Sequence, residues 1–265
     1  MRVLLLRANN LRHQSLGLLL ESAGVLSGEV IESKVSKSVD FTSDLMLKHF
    51  LSRERAEIDF FGDAKKPYTD VPRLLIGPND LNSSQVIDFV GSIDFDLCIT
   101  FGVSLLKPSL IQHLQNQVLG VHLGLSPYYR GSGTNFFPFV ESELAAVGYT
   151  LMHLNETVDG GPIVHQGRAP IVLGDSIHSI GNRNIKQMFM DIMLLLSQNI
   201  DLNTSSRVKL EGGKMYRRND FTEKALWTAY ANLGAGLIEN HLNNEVENLE
   251  KFPIIQFPKF RQIKK

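Results

Sequence analysis

One cysteine in 265 residues removes several functions at once. No intrachain disulfide can form, and no cluster of thiolates can hold zinc or an iron–sulfur centre. Cys98 itself sits in the apolar run Asp96-Leu97-Cys98-Ile99-Thr100, where it is expected as a small buried hydrophobe. Long hydrophobic runs are also missing. Nothing approaches the roughly 18–20 apolar residues of a membrane span, and the opening Met1-Arg2-Val3-Leu4-Leu5-Leu6-Arg7 is too short in its apolar part for a signal-peptide core. The expectation is a cytoplasmic protein with no membrane partner. Charge of one sign is lacking too: 27 basic against 28 acidic residues leave −1, with no global pull toward nucleic acid. Finally, the eight histidines contain no His-x-x-x-His or Glu-x-x-His pair, which argues against a metal-dependent hydrolase and leaves no metal site to assign.

The 43% apolar and 21% charged composition is that of a chain able to bury a full core. Residues 3–6 form a continuous apolar run that reads as a buried parallel strand. A helix follows over 11–23, stopped by Gly24. Strand, loop and helix in this order open a doubly wound, mostly parallel α/β sheet of Rossmann-like type. The connecting loop, Arg7-Ala8-Asn9-Asn10-Leu11-Arg12-His13, has no glycine, so the Gly-x-Gly-x-x-Gly of a dinucleotide-binding enzyme is absent. Further strands are predicted over 28–32, 95–101, 117–123, 147–154, 162–171 and 214–218. Helices are predicted over 41–60, 79–93, 134–144, 175–197 with Asp175 as cap, and 221–232. In the 175–197 helix Ile177, Ile180, Met188, Met190 and Leu194 to Leu196 form a core stripe. Residues 62–78, with three prolines, read as a surface connection. A polar stretch at 199–206 divides an α/β domain, 1–204, from a small C-terminal extension, 205–265. The tail from 251 carries five basic residues and no acidic one; a solvated end and a phosphate-binding arm both stay open.

Two turns carry the chemistry. The first follows an apolar run: Leu119-Gly120-Val121-His122-Leu123-Gly124-Leu125-Ser126-Pro127-Tyr128-Tyr129-Arg130-Gly131. The second is Asn155-Glu156-Thr157-Val158-Asp159-Gly160-Gly161-Pro162, also after an apolar run. An imidazole on one strand-end turn and a carboxylate on another is the pairing that general acid–base catalysis needs, and ligands of open α/β sheets bind at such edges. Taken singly, His122 fits a hydrogen-bonded structural histidine and Asp159 a turn carboxylate equally well.

Together, the two turns resemble the folate-dependent formyltransferases, the group of glycinamide-ribotide, methionyl-tRNA and amino-sugar formyltransferases. The family's first motif runs Asn-x-His-x-Ser-Leu-Leu-Pro-x-x-x-Gly, often with Arg before the last Gly. Here His122, Leu125, Pro127, Arg130 and Gly131 match it, and Asp159, Gly161 and Ile163 match the second motif. The resemblance covers roughly residues 95–196. It implies transfer of a formyl group from 10-formyltetrahydrofolate to a primary amine of a small-molecule acceptor. The missing glycine-rich phosphate cradle in the first loop points away from glycinamide ribotide, and toward an amino sugar carried on a nucleotide. By the same resemblance His122 and Asp159 are catalytic, and Ser104, Leu105 and Leu106 with Asn155, Glu156, Thr157 and Val158 hold the folate. The acceptor side falls to Arg130, Tyr128, Tyr129, Asn9 and Asn10. Arg130 reads as an anion ligand or as a pin for its turn, and the tyrosines as acceptor contacts or packing. A homodimer is left open.

One position departs from the pattern: the family's catalytic Asn, whose amide donates to the developing oxyanion, falls on Gly120. Three accounts follow. A water fills the vacated space, Asn135 supplies the donor from elsewhere, or the chain is a non-catalytic folate or nucleotide binder. Hydrolysis of formyltetrahydrofolate, with water as acceptor, is a related alternative.

Overall fold

The computed structural model describes residues 1–34, 43–62, 70–154, 161–200, 202 and 212–257. The apolar run at the start becomes β1 (Val3–Ala8), buried along its whole length as a central parallel strand requires. In chain order there follow α1 (Leu11–Ser22), β2 (Leu26–Glu32), α2 (Asp44–Phe61), β3 (Arg73–Ile76), α3 (Ser84–Ser92), β4 (Leu97–Phe101), α4 (Pro108–His113), β5 (Val118–His122), β6 (Tyr129–Gly131), α5 (Phe137–Val140), β7 (Tyr149–His153), β8 (Ile163–Gly167), α6 (Ile177–Ser197), β9 (Lys214–Tyr216), α7 (Glu223–Gly234), α8 (Leu237–Asn243) and α9 (Glu245–Glu250). The main sheet has the order β3-β2-β1-β4-β5-β7-β8, with β6 and β9 forming a small second sheet. Strands β3 to β5 in that order run parallel, while β7 and β8 each run antiparallel to their neighbour. The doubly wound, mostly parallel sheet expected from the sequence is present. Its connections reverse direction between β1 and β4, which opens a crevice at the carboxyl ends of those strands.

Alternation along the strands splits the core in two. Leu5, Ile99 and Leu119 pack on α1 and α6 through Leu16, Leu20, Met188 and Ile192. Leu4, Leu6, Cys98 and Val118 face α3 and α4 through Val86, Val90, Leu110 and Ile111. Cys98 is fully buried, and burial alone pushes its thiol well above the usual range, so it is a packing residue. A third cluster joins Tyr129, Phe136 and Phe137 to Leu226 and Ile238 of α7 and α8, so the part of the chain beyond 212 packs directly on the turn that follows β5.

Several local expectations are corrected. The 62–78 connection contains β3, a four-residue edge strand too short to register against flanking Pro72 and Pro78. The 79–93 helix is broken at Ser83, whose ψ of 160° is extended, so only Ser84–Ser92 is α-helical. The 134–144 helix shrinks to Phe137–Val140, because those phenylalanines are spaced by tertiary packing around Tyr216 and Phe221 and not along one helical face. Ser176, not Asp175, caps α6 in a capping box with Ser179, while Asp175 bonds Arg183 and the Val172 N–H. Met190 leaves the core stripe: it is 63% exposed, since two residues beyond Met188 lies across the helix. No helix among the described residues is long and apolar enough to cross a membrane.

Candidate active site

β5 ends on His122, and Gly120 lies on the same face two residues earlier. The imidazole is 7% exposed, and its Nε2–H donates to the Tyr129 carbonyl at 3.0 Å. A carbonyl can only accept, so that bond keeps a proton on Nε2. The turn wraps closely around the ring. At Gly124 a Cβ would stand 2.7 Å from His122 Nε2 and 2.6 Å from Thr134 Cβ, so only glycine fits there. Polar groups hold the turn from beneath: Thr150 Oγ1 donates to the Gly124 carbonyl (2.7 Å) and accepts from the Ser126 N–H (3.0 Å), and Gln166 Nε2 donates to the Ser126 carbonyl (2.7 Å). Both side chains are buried, so the turn is rigidly referenced to β7 and β8.

The side-chain space of Gly120 is filled. A Cβ there would lie 2.7 Å from Leu154 Cγ and closer still to its Cδ2. Leu154 therefore stands where a side chain at position 120 would begin. Asn135, the alternative donor, has its Oδ1 accepting from the Gly148 N–H at 3.2 Å, and its Nδ2 is buried without a hydrogen-bond partner among the described residues. Gly148 stands just ahead of β7, whose Thr150 is paired with His122, so this amide lies at the His122 end of the strands.

Of the second turn, the flanking strands β7 and β8 are described. Because β7 is antiparallel to β5, its last residue, His153, pairs with Leu119, and the Leu154 N–H bonds the Val118 carbonyl. The chain therefore leaves β7 from the opposite end of β5 to His122, on the face that Gly120 shares. Asn155, Glu156, Thr157, Val158 and Asp159 lie outside the described residues.

Of the other predicted residues, two sets follow the carboxyl ends of the neighbouring strands β1 and β4. Asn9 and Asn10 are exposed at the end of β1; Asn9 Oδ1 accepts from the Lys34 N–H at 3.3 Å, and Asn10 begins α1 with its side chain not capping it. Ser104, Leu105 and Leu106 follow β4, with Leu105 63% exposed and Leu106 buried. Arg130 lies on β6 with its Nε buried and without a hydrogen-bond partner among the described residues. The two tyrosines are structural in their contacts. Tyr129 is fully buried, stacks on Tyr216 at 5.7 Å and donates to Glu143; burial and that carboxylate push its pKa up. Tyr128 donates to the Pro253 carbonyl at 3.0 Å and meets Phe252 edge-on.

Sequence reading missed two residues at this edge. His13, in the first turn of α1, is buried against Phe101, and burial followed by the charges of Arg12, Arg7 and Lys34 drives its pKa well down, so it is neutral. Glu32 ends β2 as a buried carboxylate. An acid closing an apolar strand run was the available signal for it. Among the described residues no group of three metal-ligating side chains occurs.

With this geometry in hand, the comparisons define the class. The family model described as formyl transferase matches residues 52–193, and the chain belongs to that family of folate-dependent enzymes, which take the formyl group from 10-formyltetrahydrofolate. Phosphoribosylglycinamide formyltransferase of Haemophilus influenzae is 28% identical over 164 residues, covering 60% of this chain and 75% of that one. Methionyl-tRNA formyltransferase of Listeria welshimeri is 23% identical over 133 residues, and there the match spans only 42% of the relative and 49% of this chain. Among solved structures, an N-formyltransferase of Helicobacter canadensis, in complex with folinic acid and dTDP-3-aminofucose, superposes with a TM-score of 0.53 at 13% identity, covering 88% of this chain and 80% of that one.

Proposed function

We propose that this protein transfers the formyl group of 10-formyltetrahydrofolate to the primary amine of a small acceptor, an amino sugar carried on a nucleotide. The observation that carries the proposal is His122, buried at the carboxyl end of β5 with its Nε2–H donating to the Tyr129 carbonyl. Formyl transfer is acyl transfer through a tetrahedral intermediate. The amine lone pair adds to the formyl carbon, the amine loses a proton, and the folate nitrogen leaves as it gains one. His122 Nδ1 is assigned to that proton exchange and Asp159 to favouring the charged imidazole, as a neighbouring carboxylate does. Asn155, Glu156, Thr157 and Val158 are assigned with the β4–α4 loop to the folate. Arg130, whose buried Nε has no hydrogen-bond partner among the described residues, suits an acceptor phosphate, and Asn9 and Asn10 suit the sugar. Support for a nucleotide sugar comes from the ligand of the Helicobacter canadensis structure and from the absence of a glycine-rich cradle after β1. We place the reaction in the cytoplasm.

The test is to incubate purified protein with 10-formyltetrahydrofolate and a panel of amino sugar nucleotides and to follow release of tetrahydrofolate. Turnover that disappears in His122→Ala and Asp159→Asn is expected. The packing of Leu154 into the place of the family amide favours one second reading, a folate binder without efficient turnover. Binding of folate with no turnover across the whole panel would establish that reading in place of the first.

A further inference from the structure

The loop between β4 and α4 is held by a device outside the family motifs. Glu32 at the end of β2 is 1% exposed, and its two carboxylate oxygens receive four donors. Ser104 contributes two of them, its backbone N–H at 2.7 Å and its hydroxyl at 2.5 Å. The third is the Asn79 N–H at 3.0 Å, presented by a residue in the left-handed conformation with φ 65°. Lys34 Nζ at 2.7 Å is the fourth. Burial raises the carboxyl pKa, but the Lys34 and Ser104 bonds outweigh it and hold Glu32 ionised, below the ordinary carboxylate range. From the other side Asn82 spans the same loop, donating from Nδ2 to the Leu105 carbonyl (2.9 Å) and accepting on Oδ1 from the Lys107 N–H (2.7 Å).

These bonds use up the loop's inward polar groups and leave a defined remainder. Among the described residues, the Ser104 carbonyl and both backbone groups of Leu106 make no hydrogen bond. Unspent backbone donors and acceptors a short way apart match the alternating N–H and C=O edge of a fused pyrimidinone ring. We infer that Glu32, with Asn82, is a positioning residue for the folate donor: it fixes the β4–α4 loop from behind, so that the Ser104 carbonyl and the Leu106 backbone face the pterin in one geometry. The inference rests on the formyltransferase reading above. A carboxylate suits the position because every neighbour is a donor, and Glu32→Gln would aim an NH2 at one of them.

The experiment measures folinic acid binding by calorimetry, alongside KM for each substrate and the melting temperature. Glu32→Gln should weaken folate binding and raise its KM about tenfold or more, with the acceptor KM changing less than about twofold. Asn82→Ala should move the same two quantities in the same direction. Should Glu32→Gln fail to fold, Ser104→Ala removes one of the four donors alone and is read in its place. Folded variants that bind folinic acid as the parent does would overturn the inference while leaving the formyltransferase reading intact. A parent protein that binds no folate at all would overturn both.

Discussion

Restoring the family amide at position 120 separates packing from catalysis. Asn at 120 meets Leu154, since even a Cβ would stand 2.7 Å from its Cγ. Leu154 is only half-buried and can swing away, so the cost is that of an overpacked site, roughly 1–3 kcal/mol. At about 2–4 °C per kcal/mol for a chain of this size, Gly120→Asn should melt some 2–12 °C below the parent. Leu154→Ala alone loses buried hydrocarbon and also destabilises, by about 1–3 kcal/mol. Combined, the two changes should be less harmful than their sum, with a coupling of about 1 kcal/mol or more, because each removes what the other suffers from. Denaturation of the four proteins measures that coupling, and tetrahydrofolate release measures the chemistry. If the absent amide limits turnover, the double variant should gain a factor of about a hundred. Strict additivity of the two stabilities would refute the claim that Leu154 substitutes for the amide. A stable double variant with unchanged turnover would show that another group already serves the oxyanion.

Acid should destabilise the protein through a second pair of histidines. His49 of α2 and His178 of α6 lie 4.7 Å apart, ring centre to ring centre, among Phe50, Phe136, Phe221 and Tyr230, with Arg53 the facing cation. Burial first, then Arg53 and, for His49, its histidine neighbour, lower both from 6.5 to about 4. The unfolded chain thus takes up protons near pH 6.5 that the folded one refuses until about 4, so stability present above 6.5 is lost as pH falls across that window. After discounting for residual solvent contact the loss is on the order of 3 kcal/mol for the pair. Thermal melts from pH 7.5 to 4.5 should show a shallower slope in His178→Leu, and an identical slope would exclude the pair as its source. A third expectation concerns Gly213, at φ 80°, where a Cβ would come 2.5 Å from the Pro127 carbonyl carbon and closer to its oxygen. Gly213→Ala should detach β9 from β6 and lower stability by about 1–3 kcal/mol. Activity should fall further than stability does, because β9 backs the strand bearing Arg130; equal activity per folded molecule would place Arg130 outside the acceptor site.

The parts of the fold that were legible in the sequence are those whose cause is local. Residues 3–6 announce a central strand because a parallel strand buried on both faces has to be apolar at every position. Pro108 announces the first turn of α4, where its missing N–H costs nothing. β3 and β6 were illegible because strands of three or four residues owe their pairing to a distant partner: Tyr129–Gly131 becomes a strand only when Lys214–Tyr216 lies beside it. The site divides the same way. His122 and its glycine-rich turn can be read from spacing alone. Leu154 packed against Gly120, and Glu32 behind Ser104, are relations between residues 34 and 72 positions apart, and no local pattern encodes them.

The same distinction explains why the C-terminal segment matters to the site although its composition announces only an appendage. β8 is the edge of the main sheet, and an edge left bare would expose its ladder of N–H and C=O groups. Residues 253–257 cover it. The Gln166 N–H donates to the Ile255 carbonyl at 2.7 Å, the Ile255 N–H to Gln166 Oε1 at 3.1 Å, and the Phe257 N–H to His165 Nδ1 at 3.2 Å. His165 accepts on Nδ1, so its Nε2–H donates to Asp191 at 2.9 Å, an acceptor it shares with the Tyr149 hydroxyl. Gln166 is also the residue whose amide nitrogen holds the Ser126 carbonyl in the His122 turn. One buried side chain therefore reads the tail with its oxygen and the His122 turn with its nitrogen. Loss of the tail would leave that oxygen without its donor, and the consequence would be felt at His122 before it was felt in the core.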